Sequence, residues 1–287
     1  MGRYAMKGEV KRKRLRLSDV LSFFTLCLVV FVLGIPFLWA VSNALKTEVQ
    51  ANLFPPILFA WPPAWNNFYV ALVKLLPFHI FFRNTLVIAA SVIAGELLSS
   101  SFVAYGFAKL KFPGREALFA GLLSTMMLPY VVRMIPLFIL YTRLGWINTF
   151  YPLIVPHFFA GTPLYVFLLR QFYKTIPDEL SDASRIDGSS ELQIWWHIML
   201  PLTRPALAAL TILAFQTVWN DFMEPLVILR DTSVKTVMLG IYSLIGMEPE
   251  WTFVMAAVIA VMVPTIVLFF IFQRFFVEGI TVTGMKA

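Results

Sequence analysis

Four ionisable side chains stand inside stretches that are otherwise apolar: Glu96, Arg133, Asp221 and Glu224. A charge in hydrocarbon is costly, so such groups pair with one another, face a wet cavity or line a path. At 1.5 Å per helical residue, Glu96 lies about 18 Å and Arg133 about 24 Å from the ends of their stretches that face the cytoplasm. A long arginine side chain bridges that difference, and the two are expected to form a buried pair that fixes helix register. Trp219, Asn220, Asp221 and Glu224 cluster in the outer third of a later stretch. Polar groups beside an aromatic ring suit a sugar, whose hydroxyls need hydrogen bonds and whose C–H faces stack on rings. Helix packing around a turn at Pro225 accounts for the same four residues, and both readings stand.

Other chemistry is poorly supplied. The histidines are His79, His157 and His197, and the single cysteine is Cys27. There is no H-E-x-x-H and no cysteine pair, so no metal site is expected. No G-x-x-x-x-G-K-[ST] phosphate loop and no nucleophile elbow occur. The chain is therefore not expected to be an enzyme or to hold a cofactor, and any ATP-driven step would take place on another chain.

One polar segment, from about Arg170 to Arg204, is far longer than a connection between adjacent helices needs. Pro177 suits a first helical turn, and Asp178 and Glu179 follow where the helix dipole favours negative charge. Leu180, Ala183, Ser184 and Asp187 fall on one face at spacings of three and four. Gly188 sits where a C-cap glycine belongs, and Ser190 with Gln193 forms a capping box for a second short helix carrying Leu192, Trp195, Trp196 and Met199. The first helix spans about 16 Å, too short to cross a bilayer. An amphipathic helix resting on lipid is one reading. A docking helix for a cytoplasmic partner is the other, with Ala183, Ser184 and Gly188 allowing close approach and Asp182 and Asp187 offering charged acceptors.

These residues must be positioned by membrane helices. Of 287 residues, 59% are hydrophobic and 14% charged, against about a quarter charged in a soluble domain. The mean hydropathy is +0.79. Six stretches reach the roughly 20 apolar residues that a bilayer requires: 20–45, 84–108, 117–141, 150–169, 205–229 and 251–272. The first is too long for a signal-peptide core and is read as a retained span. Prolines recur within the spans, and each frees a carbonyl that packed helices or a wet cavity must satisfy.

Net charge is +7, but seven of the 23 Lys and Arg lie in the first sixteen residues, Arg3 to Arg16. Such a block is a cytoplasmic anchor attracted to acidic lipid. No nucleic-acid module follows, so nucleic acid is excluded as a partner. With both termini inside, the cytoplasmic side holds sixteen Lys and Arg and the outer side six. The expected organisation is a basic tail over 1–19, a six-helix domain over 20–280 with its inner loop at 170–204, and a C-terminal tail over 281–287.

The stretch from Glu179 to Pro205 resembles the signature loop of importer-type ABC transporter permeases, Glu-Ala-Ala, two residues, Asp-Gly-Ala, then Leu-Pro and a later Pro. Here it reads Asp182-Ala183-Ser184, Asp187-Gly188-Ser189, Leu200-Pro201 and Pro205. Aspartate replaces glutamate and serine replaces two alanines, which keeps charge sign and small size. Asn84-Thr85-Leu86, Ala104-Tyr105-Gly106-Phe107-Ala108, Phe112-Pro113-Gly114, Leu144-Gly145, Asn148-Thr149, Trp219-Asn220-Asp221-Phe222 and the segment Gln273–Gly279 are similar to sugar permeases. That last segment, with Gly284 and Lys286, resembles the end of the shorter permease of maltose-type systems, while the first 80 residues carry little of the resemblance.

The resemblance implies an all-α, type I importer permease in a prokaryotic inner membrane. Its partners would be a second permease, an extracytoplasmic sugar-binding protein and an ATPase dimer that itself binds ATP and Mg. Glu179, Asp182, Ala183, Ser184, Asp187, Gly188 and Ser189 would couple to the ATPase. Leu239, Gly240, Ile241 and Tyr242, in the outer loop Arg230–Glu250, would reach the binding protein, or else pack on the bundle as a re-entrant segment. Residues 281–287 would touch the ATPase dimer. An ion-coupled carrier using Glu96, Arg133 or Asp221 is the competing reading, and it has no need of the long inner loop.

Overall fold

The structure, a computed structural model, describes residues 17–247 and 249–284. The basic block before residue 17 and the last three residues of the expected C-terminal tail lie outside the described residues.

The first span is α1, Leu17–Ala44, kept helical through Pro36. Its side chains are exposed around the whole circumference, as lipid permits. Outside it come the short helices α2, Glu48–Ala51, and α3, Asn66–Tyr69, which continues as a π-helical turn over Val70–Leu75. The long helix α4, Phe78–Lys109, is the hub. Its buried residues recur at three and four, from Phe81 through Thr85, Ile88, Val92 and Glu96 to Ala104. Many are small, which lets neighbouring backbones come close. It packs against α8, α12 and α14, while α1 packs against α15.

The third span is broken. Helix α5, Arg115–Ser124, runs into a 3₁₀ turn at Thr125–Met127, and α6, Tyr130–Arg143, leaves at 97° to it. Sequence alone suggested one helix over 117–141. Pro129 and the residue before it are extended, because the proline ring excludes the α conformation from its predecessor. The fourth span is interrupted too. It begins with α7, Tyr151–Ile154, tightens to 3₁₀ over Val155–Phe159, and turns at Ala160 with φ of +54° before α8, Pro163–Thr175.

The inner loop holds α9, Glu179–Ile186, and α10, Glu191–Ile194, followed by a π-helical turn at Trp195–Met199 and α11, Leu200–Leu202. Helix α12, Arg204–Trp219, then rises at 78° to that segment. It stops at Trp219, and a separate α13, Met223–Ile228, carries the chain outward, so the expected span 205–229 is two pieces. Beyond it come α14, Val237–Ile245, and α15, Trp251–Gly284, which runs past the expected domain boundary at residue 280. Among the described residues, four helices are long and apolar enough to cross a membrane, and there are up to six spans if each bent pair counts as one.

Candidate functional site

The inner segment is built as its residues require. Helix α9 ends at Asp187, and Gly188 has φ of +85°, a conformation costly for any residue with a Cβ. The Ser189 amide closes the turn on the Ser184 carbonyl at 2.9 Å. The Ser190–Gln193 capping box is formed in both directions.

A chain of ionic contacts fastens this turn to the hub. Arg185 donates to Asp182 and to Glu191, each at 2.7 Å, and the Tyr105 hydroxyl on α4 donates to the other Glu191 oxygen at 2.5 Å. Lys109, at the end of α4, donates to the Ile176 carbonyl at 2.5 Å and to Asp178 at 2.6 Å. Arg170 donates to Glu116 at 2.5 Å and lies 3.9 Å from the Phe119 ring centre, which ties α8 to α5. The hydrogen bond from Arg185 holds the Glu191 carboxyl below its ordinary value, and the one from Lys109 does the same for Asp178.

Glu179, Asp182, Ala183, Asp187 and Gly188 are exposed, and Ser184 and Ser189 half-buried. Ile186 is 86% exposed beside them. The arrangement offers an exposed surface tied by these contacts to α4. Sequence reasoning missed Tyr105, Lys109, Arg185 and Glu191 as its fasteners. Arg185 and Glu191 lie on different helices, six residues apart across a glycine turn, so no helical spacing reveals them.

In the membrane-embedded part, the expected Glu96–Arg133 pair is replaced by another. Glu96 is fully buried, with His157 Nδ1 at 2.6 Å, the Ser100 hydroxyl at 3.0 Å and the Thr162 amide at 2.9 Å. Arg133 is exposed on α6. The sharp break at Pro129 sets α6 at an angle to α5, and the interrupted fourth span brings His157 to Glu96 instead. His157 lies in a span without Asp, Glu, Lys or Arg, and metal-ligand spacing does not single it out.

For Trp219 the packing reading holds. It is 1% exposed, stacks on Phe215 at 5.1 Å and donates from Nε1 to the Val261 carbonyl at 3.0 Å. It belongs to the core and has no face free for a sugar. Asn220 is exposed and donates to the Gln216 carbonyl at 2.8 Å, and Asp221 accepts from the Glu224 amide at 3.4 Å. Asp221 and Glu224, with His157, Thr85, Thr217 and Thr236, line a cavity of about 90 Å³. That is well below a ligand pocket of about 300 Å³. Among the described residues no group of three His, Cys, Asp or Glu is placed to hold a metal ion.

The outer loop is corrected as well. Leu239, Gly240 and Ile241 lie on the buried face of α14, and a Cβ on Gly240 would stand 2.4 Å from the Phe81 ring. The apolar face of α14 drives them into the bundle, which is the re-entrant alternative, so they present no free surface. Tyr242 alone of the four is exposed, with its ring centre 5.0 Å from that of Phe222.

Residues 97–282 match the family model described as binding-protein-dependent transport system inner membrane component. The chain is 33% identical over 280 residues to the arabinooligosaccharides transport system permease protein of Halalkalibacterium halodurans, covering 96% of this chain and 100% of the relative. It is 33% identical over 270 residues to the sn-glycerol-3-phosphate transport system permease protein of Yersinia pestis bv. Antiqua, covering 91% and 95%. In fold it is similar to a chain of a bacterial ABC transporter that imports the acidic polysaccharide alginate. The TM-score there is 0.77 at 20% identity, covering 92% of this chain and 99% of that one.

Proposed function

The chain belongs to the family of binding-protein-dependent transport system inner membrane components, and from that premise we propose that it is a permease subunit importing a carbohydrate or related polyol. It is a multi-pass inner membrane protein without an ATPase domain or a cofactor of its own. Both termini lie in the cytoplasm on this reading, in keeping with the excess of Lys and Arg on that side. A second permease completes the translocation path, because the cavity beside Asp221 and Glu224 is too small for a sugar by itself.

The observation that carries the reading is the exposed α9 turn, fastened to α4 through Arg185, Glu191 and Tyr105. A partner ATPase dimer seated on Glu179, Asp182, Ala183, Ser184, Asp187, Gly188 and Ser189 closes on ATP and drags this turn. Glu191 and Lys109 pass the movement to α4, and the permease pair rocks between inward-open and outward-open states. Direction comes from the partner's hydrolysis, since a conformational change needs differential free energy. Outside, a loaded sugar-binding protein docks near Tyr242.

Co-purification from native membranes tests this. The wild type should bring down an ATP-binding protein and a second permease, and Gly188→Asp should lose the ATPase while keeping the permease. Recovery of the chain alone, with uptake driven by an ion gradient, would overturn the proposal.

A further inference from the structure

Between Glu48 and Lys74 no residue is charged, and the segment is rich in aromatic side chains and proline. Within it Phe68 packs on the core, but four other rings do not. Phe54 is 95%, Phe59 85%, Trp61 85% and Trp65 66% exposed. Large exposed rings concentrated in one short segment mark an interaction surface.

Hydrogen bonds fix where that surface sits. The Ser42 hydroxyl, on the last turn of α1, donates to the Leu58 carbonyl at 2.5 Å. The Ala64 amide donates to the Leu45 carbonyl at 2.8 Å, and the Asn67 side-chain amide donates to the Ala44 and Lys46 carbonyls at 2.9 and 2.7 Å. Gln50 donates to the Trp61 carbonyl at 3.2 Å. The segment thus folds back over the end of a membrane span instead of extending into water. Ser42 lies two residues before the end of α1, so Leu58 is held about 3 Å inside the level of that end.

We propose that residues 53–65 form an interfacial anchor that lies in the headgroup region of the outer leaflet, with Phe54, Phe59, Trp61 and Trp65 as the inserted side chains. Tryptophan and other amphipathic rings favour that depth, and the absence of charge removes the cost of bringing the segment there. A soluble binding protein is the competing occupant. Exposed Asn52 and Asn66 bracket the rings, but the segment is held level with a span terminus, where the headgroup region and not a soluble protein meets it first. The anchor fixes the outer end of α1, whose main packing among the described residues is along α15. The inference rests on α1 being a membrane span, not on the transported substrate.

The test is spin-label collision accessibility in the assembled complex, reconstituted into phosphatidylethanolamine–phosphatidylglycerol nanodiscs. One label goes on the native Cys27, which is exposed within α1. Others go on Phe59→Cys and Trp61→Cys in a Cys27→Ser background, each checked for complex assembly. Labels at 59 and 61 should collide more with oxygen than with a water-soluble nickel chelate, at a depth of about 5–10 Å. The Cys27 label should report the lipid core. Aqueous behaviour at 59 and 61 with Cys27 in the core overturns the anchor alone. Shielding at 59 and 61 that appears only with added binding protein also overturns it and assigns the face to that protein. Aqueous behaviour at Cys27 overturns the spanning role of α1 and the anchor with it.

Discussion

His157 Nδ1 lies 2.6 Å from the fully buried Glu96 carboxylate, joining the irregular fourth span to the centre of α4. Ser99 strengthens the junction by donating to the His157 carbonyl at 2.9 Å and accepting from the Ala160 amide at 3.0 Å. The backbone irregularity around Ala160 is thus satisfied by side chains of the hub, as a non-helical stretch at membrane depth requires.

Removing the histidine leaves a buried carboxylate short of a partner. His157→Ala should lower stability by about 1–3 kcal/mol. A double-mutant cycle of Glu96→Gln with His157→Ala should give a coupling of about 0.5–3 kcal/mol, whereas Glu96→Gln with Arg133→Met should be additive. Thermal unfolding of the reconstituted protein measures both, and a coupled Glu96–Arg133 cycle would contradict the packing described.

Gly240 leaves room for the Phe81 ring. Gly240→Ala brings a Cβ to 2.4 Å from that ring and should cost about 1–3 kcal/mol by overpacking. Phe81→Leu in the same chain should recover part of the loss. A neutral Gly240→Ala would show that α14 is not held against α4 as described.

The inner segment should loosen in acid. Glu191 and Asp178 are held below their ordinary values of 4.5 and 3.8, first by hydrogen bonds from Arg185 and Lys109. Groups with depressed folded values contribute their full stabilisation above the unfolded values and lose it as pH falls through the folded ones. Hydrogen exchange over residues 176–194 should therefore be flat from neutral pH down to about pH 5 and rise below that, after correction for intrinsic rates. Glu191→Gln should raise exchange at neutral pH and flatten the acid response. An unchanged acid response in that variant would remove Glu191 from the fastening.

Trp219 is assigned to the core. Trp219→Phe loses the hydrogen bond to the Val261 carbonyl and should cost about 1 kcal/mol without altering the KM for uptake. Asp221→Asn changes a charged group lining the cavity and should lower the transport rate. A raised KM in Trp219→Phe with unchanged stability would return that ring to the substrate path.

Much of this protein is set by local chemistry and is legible from residue order. Apolar stretches long enough for a bilayer declare the spans. Pro177, Gly188 and the Ser190–Gln193 box mark the helix ends of the inner segment, because caps and left-handed turns depend on neighbours a few residues away. Which partner a buried charge finds is not local. Glu96 and His157 are 61 residues apart, and they meet only because the chain breaks at Pro129 and again around Ala160. The same holds for Trp219, whose amphipathic ring fits a sugar or a core equally well until Phe215, Phe82 and the Val261 carbonyl enclose it. Hydropathy reports that a segment leaves water. Only tertiary packing decides which neighbours it meets there, because that choice rests on shape and hydrogen-bond geometry between helices distant in the chain.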